Sequence, residues 1–127
     1  MISFQTHENV QRMNLFTTIE NAKISYSVDG NGPLNLVLVH GAGANSESNW
    51  GHFVEFLAPH YKVVRPNYSG SGETTDEGQP LSTAQLAEQV IAAAKAADAV
   101  PFDLIGFSLG TSVSTYICYS PIKMSMR

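Results

Sequence analysis

Asp103-Leu104-Ile105-Gly106-Phe107-Ser108-Leu109-Gly110 is the stretch on which the reading of this sequence turns. The run from Phe102 to Phe107 is apolar but for Asp103, as suits a buried strand, and a helical segment follows Gly110. Between them lies G-x-S-x-G. A serine on so tight a strand-to-helix turn takes a strained backbone, and its neighbours must leave room. Gly106 and Gly110 do so by lacking a β-carbon. Such a turn lifts the Ser108 hydroxyl clear of the sheet and sets the Leu109 N–H at a helix N-terminus. There the amide and the helix dipole both favour a developing negative charge on oxygen. Five-residue matches arise by chance; the strand before and the helix after give this one its weight.

Working outward, Leu36-Val37-Leu38-Val39 is continuously apolar, the pattern of a parallel strand covered on both faces. It runs into His40-Gly41-Ala42-Gly43-Ala44-Asn45, a second small-residue loop at a strand's carboxyl end. Ala42 or Gly43 is placed to give a second backbone N–H to the same oxyanion. Val63-Val64 is a weaker strand signal. Trp50, Phe53, Val54 and Leu57 fall at helical spacing, and Leu86, Val90, Ile91, Ala93, Ala94 and Ala97 form a second stripe opened by a Ser82–Gln85 capping box. Upstream, Phe16–Ile19 and Ile24–Val28 read as two short strands joined at Asn21-Ala22, the second half exposed by its alternation. Strands alternating with helices give an α/β fold with a mostly parallel sheet of about five strands and helices on both faces. Ligands of such sheets bind at the carboxyl ends of the strands, where both loops lie.

Composition excludes several classes. The chain has 127 residues, 43% hydrophobic and 14% charged, with net charge -4. That is a globular composition, and seven scattered Lys and Arg offer no basic face for nucleic acid. The first residues lack the basic and apolar regions of a signal peptide. Leu104 to Ile122 carries no charge, yet its two glycines, proline, serines and threonines fit strand-turn-helix better than a membrane span. A single cysteine, Cys118, suits a reducing cytoplasm and reads as a small core residue. Gly41-Ala42-Gly43 is not a dinucleotide fingerprint, since Ser46 stands where a third glycine is required, and no Gly-Lys-Ser or Gly-Lys-Thr supplies a phosphate loop.

Three motifs in order therefore stand out: Leu36–Gly43, Val64-Arg65-Pro66-Asn67-Tyr68-Ser69-Gly70-Ser71-Gly72, and Asp103–Gly110. Together they resemble the α/β-hydrolase superfamily, in particular its bacterial serine esterase and carbon–carbon hydrolase branch, from about Tyr26 to about Thr115. The resemblance implies Ser108 as nucleophile, Leu109 and Ala42 (with Gly43 beside it) as oxyanion donors, and cofactor-free, metal-free hydrolysis of a small carboxylic ester or related acyl compound through an acyl-enzyme. His40, Gly41, Gly106 and Gly110 would support these groups. Serine at the elbow sets aside the superfamily's aspartate-nucleophile members.

The family order is Ser, then Asp or Glu, then His. Residues 109–127 contain none of these acids and no histidine. The chain thus reads as one incomplete domain, the part up to the helix after the elbow, and by itself should be nearly inactive; a non-catalytic fragment or binding module is the alternative. Upstream substitutes are poor. Asp103 is at the far end of its strand, roughly 16 Å from Ser108 at ~3.3 Å per residue. His52 and His60 read as surface or packing residues, and Asp76 and Glu77 as solvated loop charges. His40 is expected to brace the oxyanion loop, with a Ser108–His40 dyad as the rival. Trp50, Tyr68 and Phe107 are core by default, acyl-pocket lining otherwise. If the family strand order holds, residues 102–105 become a sheet edge open to self-association.

Overall fold

Four consecutive apolar residues in Leu36–Val39 follow from the position of their strand between two helical layers. Residues 12–78 and 80–119 are described by the computed structural model. The N-terminal residues weighed above as a signal peptide fall outside them. Strands β1 (Arg12–Ile19), β2 (Ala22–Asp29) and β3 (Leu34–Val39) come first. Helix α1 (Ser46–Trp50), a 3-10 turn (Gly51–Phe53) and α2 (Val54–Leu57) then lead to β4 (Tyr61–Asn67). Helix α3 (Thr83–Ala96), β5 (Asp103–Gly106) and α4 (Leu109–Tyr119) complete the order.

The sheet order is β1-β2-β4-β3-β5. β3 runs parallel to both β4 and β5. Val37 and Val39 join Val64, Tyr26 and Val28 beneath α3 and α4, which contribute Ala87, Val90, Ile91, Ala94, Val113 and Ile117. Leu36 and Leu38 face the other way with Val63, under Trp50 and Leu57. Helices thus cover both faces, and all of Leu36–Val39 is at most 3% exposed. The Ser82–Gln85 capping box opens α3 as the sequence indicates.

The sheet is mixed rather than mostly parallel. β1 and β2 form an antiparallel hairpin across Glu20 and Asn21, and β2 is antiparallel to β4. A two-residue turn can only reverse the chain, whereas parallel neighbours need a long crossover. The weak Val63-Val64 signal belongs to a seven-residue strand, buried from Val63 to Asn67. Nor is β2 half exposed. Its helix-facing Ile24, Tyr26 and Val28 are buried, and so are Ser25 and Asp29 on the opposite face. Polar partners cover that face: Thr74 Oγ1 accepts from the Ser25 N–H at 2.8 Å, and Arg65 pairs with Asp29 at 3.2 Å.

Two further expectations fail locally. The Trp50–Leu57 stripe is not one helix but is broken at Gly51–Phe53, with Val54 buried and Phe53 45% exposed. Gly51, a poor helix former, opens the break. Cys118 is exposed, not core. The buried stripe of α4 is Gly110, Val113 and Ile117, and one further residue rotates the side chain about 100° away from it.

Candidate active site

Ser108 sits in the left-handed region at φ +59°, one residue beyond β5 and immediately before α4. Few non-glycine residues adopt that conformation, and here the surroundings impose it. The Phe107 N–H still donates to the Val39 carbonyl at 3.1 Å, so β5 stays tied to β3 up to the bend. Past it, the Gly110 and Thr111 N–H groups donate back to the carbonyls of Phe107 and Ser108 at 2.9 and 2.8 Å, closing the first turn of α4. A β-carbon on Gly106 would fall 2.3 Å from the Gly110 oxygen, and one on Gly110 would fall 2.3 Å from the Val39 oxygen. Both glycines are therefore needed for the packing of helix on strand. The exposed Ser108 side chain stands at the N-terminus of α4, where the Leu109 N–H has no partner among the described residues.

The second loop meets this bend. A β-carbon on Gly41 would lie 3.1 Å from the Ser108 β-carbon and 3.2 Å from the Phe107 ring, so only glycine lets the two backbones approach without displacement. The loop is pinned at its base. His40 is fully buried and stacked on Tyr68, ring centroids 4.3 Å apart and 16° from parallel. The Tyr68 hydroxyl donates to the His40 carbonyl. His40 Nδ1 lies 2.9 Å from the Gly41 carbonyl oxygen, which can only accept, so Nδ1 carries the proton. Nε2 is then bare, and it is buried without a partner among the described residues. Desolvation holds the His40 pKa below its ordinary value, and burial pushes the Tyr68 hydroxyl up to about 12. The Gly41 N–H donates to Asn49 Oδ1 at 2.7 Å. Beyond it the chain turns at Gly43, φ +72°, with the Ala44 N–H on the Gly41 oxygen at 3.3 Å. The N–H groups of exposed Ala42 and Gly43 bond to nothing among the described residues.

Ser108, Leu109, Ala42, Gly43, His40, Gly41, Gly106 and Gly110 thus gather at the carboxyl ends of β3 and β5. The other candidates do not. Asp103 opens β5 opposite Leu36, at the strand's far end. His60 is exposed just before β4, at that same far end, and exposed His52 leans on Phe53 with ring centroids 4.3 Å apart. Asp76 accepts from the Gly78 N–H and is held below the usual carboxylate range, mainly by the Ser69 hydroxyl. Its neighbour Thr75 pairs with Lys23 of β2, three strand spacings (about 14 Å) from β5. Phe107 is 56% exposed beside Gly41 and is not core, whereas Tyr68 is buried and Trp50 half-buried. Among the described residues, no cluster of three or more His, Cys, Asp or Glu could hold a metal ion. No helix there is long and apolar enough to cross a membrane.

Sequence reasoning missed the ties beneath the loops. Asn67 Oδ1 accepts from the Ser46 N–H at 2.8 Å while its Nδ2 donates to Ser25 Oγ at 3.0 Å. Buried Arg65 bridges Asp29 and Glu47. Gln89 holds Ser69 through both its amide atoms. Only the Asn45–Ser48 capping box at the start of α1 left a readable local signal.

A sequence model described as the alpha/beta hydrolase fold matches residues 35–125. The chain belongs to that α/β-hydrolase family. Among characterised relatives, it is 57% identical over 95 residues to pyrrolizixenacetamide deacetylase of Xenorhabdus hominickii, covering 75% of this chain and 35% of the relative. It is 34% identical over 93 residues to pimeloyl-[acyl-carrier protein] methyl ester esterase of Yersinia pestis, covering 72% and 33%. A proposed epoxide hydrolase from Pseudomonas aeruginosa superposes with TM-score 0.75 at 28% identity, over 84% of this chain and 36% of that one. A hydrolase from Pseudomonas aeruginosa PA01 shares the fold, with TM-score 0.75, 23% identity and coverage of 94% and 43%. The α/β-hydrolase chain thus spans about a third of the length of the curated relatives it matches. The family is one of hydrolases, and the two characterised relatives named are a deacetylase and an esterase.

Proposed function

We propose that this chain carries the nucleophile and oxyanion half of a serine hydrolase acting on small carboxylic esters or related acyl compounds, N-acetyl amides included. One observation supports this above the rest. A strained Ser108 and three backbone N–H groups without partners among the described residues, those of Leu109, Ala42 and Gly43, share one end of the sheet. In the acylation step the Ser108 Oγ bonds to the acyl carbon as its proton passes to a base. The carbonyl oxygen, now negative, is held by the Leu109 N–H and by that of Ala42 or Gly43. The C–O or C–N bond then breaks, the alcohol or amine leaves with a proton, and water cleaves the acyl-enzyme. The deacetylase relative favours a short acyl group on nitrogen, and the methyl ester esterase relative favours a small alcohol as leaving group.

His40 is better read as brace than as that base, since its ring is buried, stacked and committed through Nδ1 to Gly41. With no Asp, Glu or His in residues 109–127, the 127-residue chain should turn over little substrate. In a comparable triad, loss of the histidine alone costs ~10⁶ in kcat, leaving ~10³ to 10⁴ over water. A lone exposed cysteine is in keeping with a reducing cytoplasm. The edge position of β5, with Ile105 45% exposed, favours self-association of the chain.

A fluorophosphonate tests this reading, because it needs only the first covalent step. Incubated at high concentration and followed by intact mass, the chain should gain one adduct, slowly, and Ser108→Ala should gain none. Equal behaviour of the two proteins would overturn the hydrolase reading.

A further inference from the structure

The oxyanion loop has a donor it must not use. Three successive N–H groups, those of Gly41, Ala42 and Gly43, line a loop of small residues, and a free loop of this kind would sample many orientations. Only one N–H is withdrawn from solvent: that of Gly41, which donates to Asn49 Oδ1 at 2.7 Å in a half-buried contact. Asn49 is well placed for such a task. It sits in α1, whose N-terminus is fixed twice over, by the Asn45–Ser48 capping box and by the Ser46 N–H on Asn67 Oδ1 of β4. The carbonyls on either side of the Gly41 amide are also fixed, the His40 oxygen by the Tyr68 hydroxyl and the Gly41 oxygen by His40 Nδ1. Asn49 supplies the remaining constraint on that peptide plane, from a different secondary-structure element.

From this arrangement we infer that Asn49 is a positioning residue for the oxyanion loop. By accepting from Gly41, its amide oxygen sets the rotation of the 40–41 peptide, so the next N–H groups, of Ala42 and Gly43, face the space in front of Ser108. It touches neither substrate nor nucleophile. The inference rests on the serine hydrolase reading. It adds that the hole is set from α1 as well as from the strand end.

The test uses the whole chain and the rate of Ser108 phosphonylation by the same fluorophosphonate, with Ser108→Ala as background. Asn49→Leu keeps the side-chain shape but lacks an acceptor; Asn49→Asp keeps the acceptor. Losing one oxyanion donor costs ~10²–10³ in rate, so disordering the donors should slow Asn49→Leu by about tenfold or more. Asn49→Asp should label at least about fivefold faster than Asn49→Leu, the order expected if the accepting oxygen matters. Thermal melts and the Gly41 amide exchange rate accompany each protein, with exchange faster in Asn49→Leu only. Asn49→Leu labelling at the wild-type rate overturns the inference. So does equal slowing of both variants, or slowing that merely tracks lost melting temperature. A wild-type chain no more reactive than Ser108→Ala instead sinks the hydrolase reading beneath it.

Discussion

Replacing Gly110 by alanine tests the join between the elbow and the sheet. An added methyl would come to 2.3 Å from the Val39 oxygen, 2.8 Å from the His40 oxygen and 2.9 Å from the Val39 carbonyl carbon. Carbon–oxygen contacts are comfortable at about 3.3–3.6 Å, so α4 or the end of β3 must move by about 1 Å. Overpacking typically costs about 1–3 kcal/mol when side chains can yield. These atoms are backbone, and the Val39 oxygen also holds the Phe107 N–H, so the upper end, about 3 kcal/mol, applies. Alanine regains about 1 kcal/mol of helix propensity. The net loss is about 2 kcal/mol, a large part of a stability of about 5–15 kcal/mol. For a chain of this size it lowers the melting temperature by roughly 8 °C. Gly43→Ala is the control, since a β-carbon there meets nothing within 4 Å and adds only left-handed strain at φ +72°, about 1–2 kcal/mol, of which the stiffer unfolded chain returns about 0.4–1 kcal/mol. Urea unfolding of the two variants should rank Gly110→Ala below Gly43→Ala. Gly110→Ala as stable as wild type would refute the packing argument.

Three further outcomes follow from the same geometry. Ser108→Gly relieves the left-handed strain (about 1–2 kcal/mol) at an entropic cost of about 0.5–1 kcal/mol. Urea midpoints should therefore hold or rise slightly while fluorophosphonate labelling disappears; a midpoint lowered by the full entropic cost would mean that no strain is stored there. Burial lowers the His40 pKa from 6.5, so below that pH the unfolded chain binds more protons than the folded one. Melting temperature should fall as pH drops below 6.5 toward the depressed folded value, and His40→Gln should flatten that slope; equal slopes would count against it. At the β5 edge, Ile105→Lys puts a charge on a strand that has no outer neighbour among the described residues. Sedimentation should show concentration-dependent association of the wild type that weakens in this variant, and a wild type monomeric at high concentration would contradict the edge proposal.

Much of this was legible in the sequence because the deciding signals are local. Gly106-Phe107-Ser108-Leu109-Gly110 is a backbone requirement written in side chains, and the structure gives it φ +59° and two glycines with no room for a methyl. Leu36–Val39 announced a strand covered on both faces. Cys118 was misjudged because one helical step separates it from buried Ile117, and an apolar run does not say which step is inward. The alternation in Ile24–Val28 suggested exposure, yet Ser25 and Asp29 are buried by Thr74 and Arg65, partners 49 and 36 residues away. Asn49 was invisible for a related reason. Its role depends on one peptide N–H eight residues earlier, a distance fixed only when α1 folds back onto the end of β3.

The most direct test is a crystal structure of the phosphonylated chain. Bonded to Ser108 Oγ, the phosphonyl group should direct one oxygen to within about 2.7–3.1 Å of the Leu109 nitrogen and of the Ala42 or Gly43 nitrogen. A phosphonyl oxygen turned to solvent, with both amides unengaged, would contradict the assignment of these loops as one catalytic half-site.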